Sequence, residues 1–179
     1  DAQLEASLFQ SRIDDLIQDS IVNSSQCGGS TCNQARNIGK ARHRGIELSL
    51  QQRWGERGQF GANYSWLDRD NLQNPAVRLT NSPRQRVFAY AQWAWSPRWR
   101  TVVGGEAEQG RIVPVSASGK TAFLQLHGYA RFDAKLVWAP RQGLEIEAGG
   151  RNLGDRWYEL SDGFPMPGRS WFANVSYRF

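Results

Sequence analysis

The stretch Ser170-Trp171-Phe172-Ala173-Asn174-Val175-Ser176-Tyr177-Arg178-Phe179 sets the architecture of the chain. In extended backbone, successive side chains point to opposite faces. Trp171, Ala173, Val175, Tyr177 and Phe179 then share one face. Ser170, Asn174, Ser176 and Arg178 share the other, and only Phe172 breaks the polar rule. This is a strand with one apolar side.

The same period of two recurs upstream. Ile46, Leu48 and Leu50 alternate with Glu47, Ser49 and Gln51. Phe60, Ala62, Tyr64 and Trp66 alternate with Gly61, Asn63 and Ser65. Val87, Ala89, Ala91, Trp93 and Trp95 share a face, as do Trp99, Thr101, Val103, Gly105 and Ala107. Ala130, Phe132, Ala134, Leu136 and Trp138 oppose Arg131, Asp133 and Lys135. Leu144, Ile146 and Ala148 oppose Glu145, Glu147 and Arg151. Leu4, Ala6 and Leu8 begin the series. An all-β chain of about eight strands follows.

A soluble sandwich alternates in the same way, so the connections decide. Residues 17–39, 68–84, 109–122 and 153–168 read as long polar or Gly/Pro-bearing links. Between them come tight turns at Gly55-Glu56-Arg57-Gly58, Ser96-Pro97 and Pro140-Arg141-Gln142-Gly143. Strict long–short order is the pattern of an outer-membrane antiparallel barrel, with long loops outside the cell. Trp54, Trp95, Trp99 and Trp138 abut the tight turns, whereas Trp66, Trp157 and Trp171 lie nearer the long links. Two aromatic bands match two membrane surfaces; a sandwich would bury these rings mid-strand.

Composition agrees. The chain is 40% hydrophobic and has no run near the roughly 20 apolar residues of a membrane helix. A barrel strand is half polar and needs no such run. The net charge of +5 comes from scattered rather than clustered arginines, which argues against a nucleic-acid footprint. Cys27 and Cys32 stand in a Gly/Ser/Asn-rich link. They read as a local disulfide of an oxidising compartment, in preference to a soft-metal site with His43. The chain opens at Asp1 without a leader, which suits either a mature exported protein or a fragment.

Two stretches carry a family resemblance. Asn37-Ile38-Gly39-Lys40-Ala41-Arg42-His43-Arg44-Gly45-Ile46-Glu47 resembles a strand opening common in TonB-dependent receptors. Asn152-Leu153-Gly154-Asp155-Arg156-Trp157-Tyr158, followed by Pro167-Gly168-Arg169 and the strand to Phe179, resembles their C-terminal signature. Gly154 departs from it, because the family often carries a bulkier apolar residue there. The resemblance implies a 22-stranded transmembrane barrel closed by an N-terminal plug. Residues 1–179 would be its last eight or so strands, with the plug and early strands outside this chain. It further implies a bacterial outer-membrane receptor for TonB-coupled import of a ferric siderophore, cobalamin or other metal chelate. The alternative is a self-contained eight-stranded barrel with a structural or adhesion role.

Expected partners are therefore outer-membrane lipid and lipopolysaccharide, the receptor's own plug, the TonB complex, a small-molecule chelate and the outer-membrane insertion machinery. No catalytic constellation, zinc spacing or phosphate-cradling loop stands out, so neither enzyme nor cofactor is expected. Arg44, Glu47, Arg98, Arg100, Glu106, Arg131, Asp133, Lys135, Glu145, Glu147 and Arg151 are expected on the lumen and plug side. A charge turned to lipid there would cost up to about 2–4 kcal/mol. Trp157, Tyr158, Phe164 and Met166 form a candidate ligand-facing loop, although Trp157 and Tyr158 also suit an interface belt. Tyr177 and Phe179 are the expected assembly signal. Deleting Phe179 should lower barrel insertion severalfold without altering ligand chemistry; unchanged yield in outer-membrane fractions would contradict this.

Overall fold

The computed structural model describes residues 1–23, 27–28, 31–118 and 120–179. Among the described residues fourteen strands form, and eight of them make one antiparallel sheet. In sheet order these are β1 (Ala2–Ile13), β4 (Ala41–Trp54), β5 (Gly58–Asn71), β6 (Gln85–Ser96), β7 (Trp99–Gln109), β10 (Tyr129–Arg141), β11 (Leu144–Arg151) and β14 (Ser170–Tyr177). They are the eight alternating segments of the sequence. Neighbours in space are also neighbours in order along the chain, so the sheet is a simple up-and-down meander. No helix among the described residues is long and apolar enough to cross a membrane.

Three long links contain hairpins that their polar composition conceals. These pair β2 (Ile17–Asn23) with β3 (Thr31–Asn37), β8 (Ile112–Ala117) with β9 (Lys120–Gln125), and β12 (Glu159–Ser161) with β13 (Phe164–Pro165). Both faces of these ribbons lie outside the main sheet, so the one-sided apolar alternation that reveals a sheet strand is weak in them. The tight turns fall where expected, with bulges near two of them, at Ala94–Ser96 and Trp138–Arg141. A bulge there bends the strand end and increases its twist.

Register makes the faces continuous. One cross-strand row runs Ala6, Leu48, Tyr64, Val87, Ala107, Ala130. Another runs Trp93, Thr101, Leu136, Ala148, Ala173. Across β1 to β14 this face carries no charged residue within the span of these rows. At the tight-turn end Trp99 stacks on Trp138 at 5.5 Å, and Tyr177 meets Phe179 edge-on at 5.2 Å. Large apolar side chains such as Leu8, Trp95, Phe132, Trp171 and Val175 stand exposed on this face. In water such a surface would drive aggregation; against hydrocarbon it is the stable arrangement.

Register also corrects one expectation. β4 pairs with β1 and β5 from Ala41 onward without a bulge, so parity is unbroken along it. Arg44 therefore shares the side of Ile46 and Leu48, opposite Glu47. Arg44 and Glu47 are three residues apart, an odd spacing that a continuous strand always divides between faces. Arg98 lies in the tight turn before β7 rather than within a strand.

Glycines sit under aromatic rings at several cross-strand pairs. Gly61 opposes Tyr90, Gly58 opposes Trp93, Gly45 opposes Phe9 and Gly150 opposes Trp171. A Cβ at Gly58 would lie 2.7 Å from the Trp93 ring, and one at Gly150 2.8 Å from the Trp171 ring. The ring lies flat over the bare backbone and covers the gap that the missing side chain leaves. We expect Gly61→Val to drive the Tyr90 ring off its seat and destabilise the barrel by about 1–3 kcal/mol. Heat-modifiable gel mobility in detergent reads this as a lower unfolding temperature, partly restored in Gly61→Val/Tyr90→Ala; an unshifted midpoint counts against it.

Candidate functional site

The face opposite the apolar one is braced by ion pairs. Arg131 contacts Glu106 at 3.4 Å and Asp133 at 2.7 Å, and Arg86 reaches Glu106 at 3.4 Å. Tyr129 donates its hydroxyl to Glu106 at 2.7 Å. Lys135 pairs with Glu147 at 2.8 Å. Arg100 on β7 reaches Glu145 on β11 at 3.1 Å, spanning β10 at Val137, which is 1% exposed. These contacts couple β6, β7, β10 and β11 side by side. Glu47 is exposed beside Glu5, Ser49, Asn63 and Ser65 in an open depression near β1 that Leu48, Tyr64 and Phe88 also line. Arg151 lies over the Phe172 ring at 5.4 Å.

At the long-loop end the links hold one another. Gln18 of β2 donates to the Arg78 carbonyl and accepts from the Thr80 amide. Thr121 of β9 both accepts from the Ile21 amide and donates to the Ile21 carbonyl. Arg69 donates to the carbonyls of Leu79, Thr80 and Ser82, folding the 72–84 link back on β5. Arg111 forks onto both oxygens of buried Glu108 and donates its third nitrogen to the Asn81 carbonyl. The hydrogen bonds to the Glu108 carboxylate, and then its charge, raise the Arg111 guanidinium above its ordinary pKa against the opposing effect of burial. Leu79 and Val113 are buried here, so three of the links form a joined canopy with a small apolar core.

The fourth link is organised by Asn152, which is 3% exposed. Its backbone amide donates to Asp133, and its side-chain amide donates to the carbonyls of Arg156 and Pro167. Its Oδ1 accepts from the Arg156 amide. Asp155 takes over one step later, accepting from the Arg169 amide at 2.8 Å. Asn152 and Asp155 both adopt positive φ, 49° and 50°, which Asn and Asp tolerate better than most residues. The Asn-Leu-Gly-Asp and Pro-Gly-Arg segments are thus two halves of one hydrogen-bonded knot. A Cβ at Gly154 would lie 3.2 Å from the Phe132 ring, so a large aromatic occupies the room beside it.

The knot sorts the candidate loop residues. Tyr158 is 8% exposed and stacks on Tyr129 at 4.0 Å, which commits its ring to the wall. Trp157 and Phe164 are 64% and 73% exposed, and Met166 is half-buried. The Met166 amide donates to the Tyr158 carbonyl, which closes the β12–β13 lobe. Trp157 and Tyr158 also line an open cleft with His127, Arg156, Glu159 and Asp162. Sequence reasoning missed the bracing roles of Tyr129, Arg111 and Arg69, since a lone Tyr or Arg in a strand or link carries no local signal. Cys27 and Cys32 are joined as a disulfide, and the described residues hold no cluster that could bind a metal ion.

An up-and-down sheet with one uncharged apolar face, one ion-paired face and long loops at a single end is the wall of an outer-membrane β-barrel. The chain belongs to the TonB-dependent receptor family: the model described as "TonB dependent receptor-like, beta-barrel" matches residues 1–153. It is an outer-membrane chain of the Gram-negative type. The fold is similar to that of the copper transporter OprC, with TM-score 0.78, 20% identity, and 99% of this chain against 29% of that one. It is similar to the ferric-catecholate import receptor Fiu of E. coli K12, with TM-score 0.74, 20% identity, and 99% against 25%. It is also similar to the pyoverdine receptor FpvA of Pseudomonas aeruginosa PAO1, with TM-score 0.76, 12% identity, and 99% against 27%. The chain thus spans less than a third of each of these receptors. No curated protein matches its sequence.

Replacing Asn152 tests the knot. Asn152→Gly keeps the positive φ but strands the Arg156 amide and the Arg156 and Pro167 carbonyls, at a cost of about 1–3 kcal/mol. Asn152→Ala should be worse, because it adds backbone strain. Protease sensitivity of the 153–168 link and thermal mobility shifts should rank wild type, Gly, then Ala; equal behaviour of all three would refute the assignment.

Proposed function

We propose that this chain is the C-terminal wall of a receptor that imports a scarce metal or metal chelate through TonB coupling. The carrying observation is membership of the receptor family over residues 1–153. The likeness of nearly the whole chain to receptors for copper, ferric catecholate and pyoverdine supports the wall assignment. In this reading the plug and the TonB-contacting segment belong to polypeptide outside the present chain. Further strands cover the outer edges of β1 and β14, each of which pairs on one side only. That open sheet disfavours the self-contained eight-stranded barrel, whose first and last strands must pair.

The polar face then serves as the inner wall. Glu47, Arg131, Asp133, Lys135, Glu145, Glu147 and Arg151 offer a plug domain fixed charges of both signs. Pairing most of them within the wall keeps a sliding or unfolding plug from being held by isolated charges. Trp157, Phe164 and Met166 provide the exposed apolar surface of the terminal link, with Tyr158 as its anchor. Tyr177 and Phe179 mark the strand that the insertion machinery reads. No step of this function requires bond chemistry by the chain, in keeping with a transport receptor rather than an enzyme.

The test is uptake by cells that depend on the full-length receptor. Radiolabelled iron as catecholate, hydroxamate or pyoverdine-type chelates, cobalamin, and copper should be offered with and without a functional TonB complex. We expect TonB-dependent accumulation of one class, lowered several-fold by Trp157→Ala/Phe164→Ala at unchanged receptor level. Accumulation of none, or accumulation indifferent to TonB, would sink the import reading.

A further inference from the structure

The parity of Arg44 with Ile46 places a second charged surface on the membrane-facing side. Three successive cross-strand rows climb this side toward the long loops. The first is apolar: Leu8, Ile46 and Trp66. The next is Gln10, Arg44 and Asp68, and the one beyond is Arg12, Arg42 and Asp70. Each step is two residues, about 7 Å along the strand. Arg84 joins from the link just before β6, with its guanidinium 5.8 Å over the Trp66 ring and 3.8 Å from Asp68. The outward face therefore changes within one row from hydrocarbon-like to a belt of four arginines and two aspartates.

Four arginines against two aspartates leave the belt only partly neutralised, with Arg42 paired to Asp70 and Arg44 to Asp68. Arg42 and Arg44 each donate Nε and Nη2 to a single oxygen of Asp70 and Asp68. That leaves both Nη1 groups without a partner among the described residues. Arg12 directly opposes Arg42 across the β1–β4 ladder, and among the described residues no carboxylate pairs with it. Like charges placed directly opposite are destabilising unless an anion lies between them. The belt also sits where no ligand in the barrel interior can reach it, because it shares the face of Ile46 and Trp66. With the long loops outside the cell, its level is that of the outer-leaflet headgroups.

We propose that Arg12, Arg42, Arg44 and Arg84 bind the phosphate groups of a phosphorylated glycolipid headgroup in the outer leaflet. Its acyl chains would lie along the Leu8–Ile46–Trp66 row below. Planar guanidiniums suit phosphate oxygens, and Asp68 and Asp70 hold two of the four arginines in fixed orientation. The inference rests on the membrane orientation of the sheet and is independent of which ligand is imported.

The test uses the full-length receptor in detergent, immobilised and offered a bisphosphorylated glycolipid or its dephosphorylated form. The wild type should retain the phosphorylated lipid preferentially. Arg12→Gln/Arg84→Gln should weaken that retention by about fivefold for each arginine removed. Its hold on the dephosphorylated lipid should not change. A charge-balanced variant, Arg42→Gln/Arg44→Gln/Asp68→Asn/Asp70→Asn, should do the same without leaving aspartates unpaired. It carries the test if the first variant fails the heat-mobility check for folding. Equal retention of both lipids, or no loss in a folded variant, overturns the proposal. Displacement by inorganic phosphate at the same concentration as the lipid also overturns it, because the belt would then be a site for free anions. Chelate uptake is not read, so failure of the import reading leaves this outcome unaffected.

Discussion

Everything in this chain depends on keeping two faces of one sheet separate over eight strands. A strand's side-chain period is two, so a slip of a single residue exchanges every lipid-facing group for a polar one. The cost of burying even one charge in hydrocarbon exceeds most single packing terms. Cross-strand register is therefore specified by the whole set of alternating residues, and the rows run unbroken from β1 to β14. Within the eight-stranded sheet, bulges are confined near two tight turns, where no long ladder remains to be shifted.

Charge is handled differently on the two sides. On the polar face, acidic and basic groups lie on adjacent or next-adjacent strands and pair across the ladder, as Lys135 does with Glu147 and Arg131 with Glu106. On the apolar face charge is excluded from the spanning rows and returns as the arginine belt beyond Trp66. The same residue type thus braces the wall in one place and meets the membrane surface in the other. Only parity along the strand separates the two.

The long links are built rather than loose. Hairpins, the Arg69 and Arg111 forks and the Gln18 and Thr121 contacts join three of them, while Asn152 ties the fourth to β10. This explains the two halves of the C-terminal motif. Asn152 must supply donors and an acceptor at positive φ, and Pro167 and Asp155 must lie within its reach. Tyr158 must stack on Tyr129 for the chain to turn back into β14. The sixteen or so residues between Asn152 and Arg169 could not keep their ends in register without that knot.

The sequence by itself determined the all-β class, the eight sheet strands, the tight turns, the local disulfide and the family. Each is written in short-range periodicity or spacing, and a two-residue period survives without knowledge of neighbours. The hairpins in the links escaped, because a ribbon outside the sheet has no single buried face to imprint one-sided alternation. Arg44 was misassigned because charge alone was taken to mean the inner side, whereas its parity with Ile46 puts it on the outer one. Tertiary structure alone decided that Tyr158 is a wall residue, that Arg69, Arg111 and Tyr129 hold the loop end together, and that Arg12 faces Arg42. These are contacts between residues tens of positions apart or on different strands, and no local pattern in a chain records which strand will lie beside which.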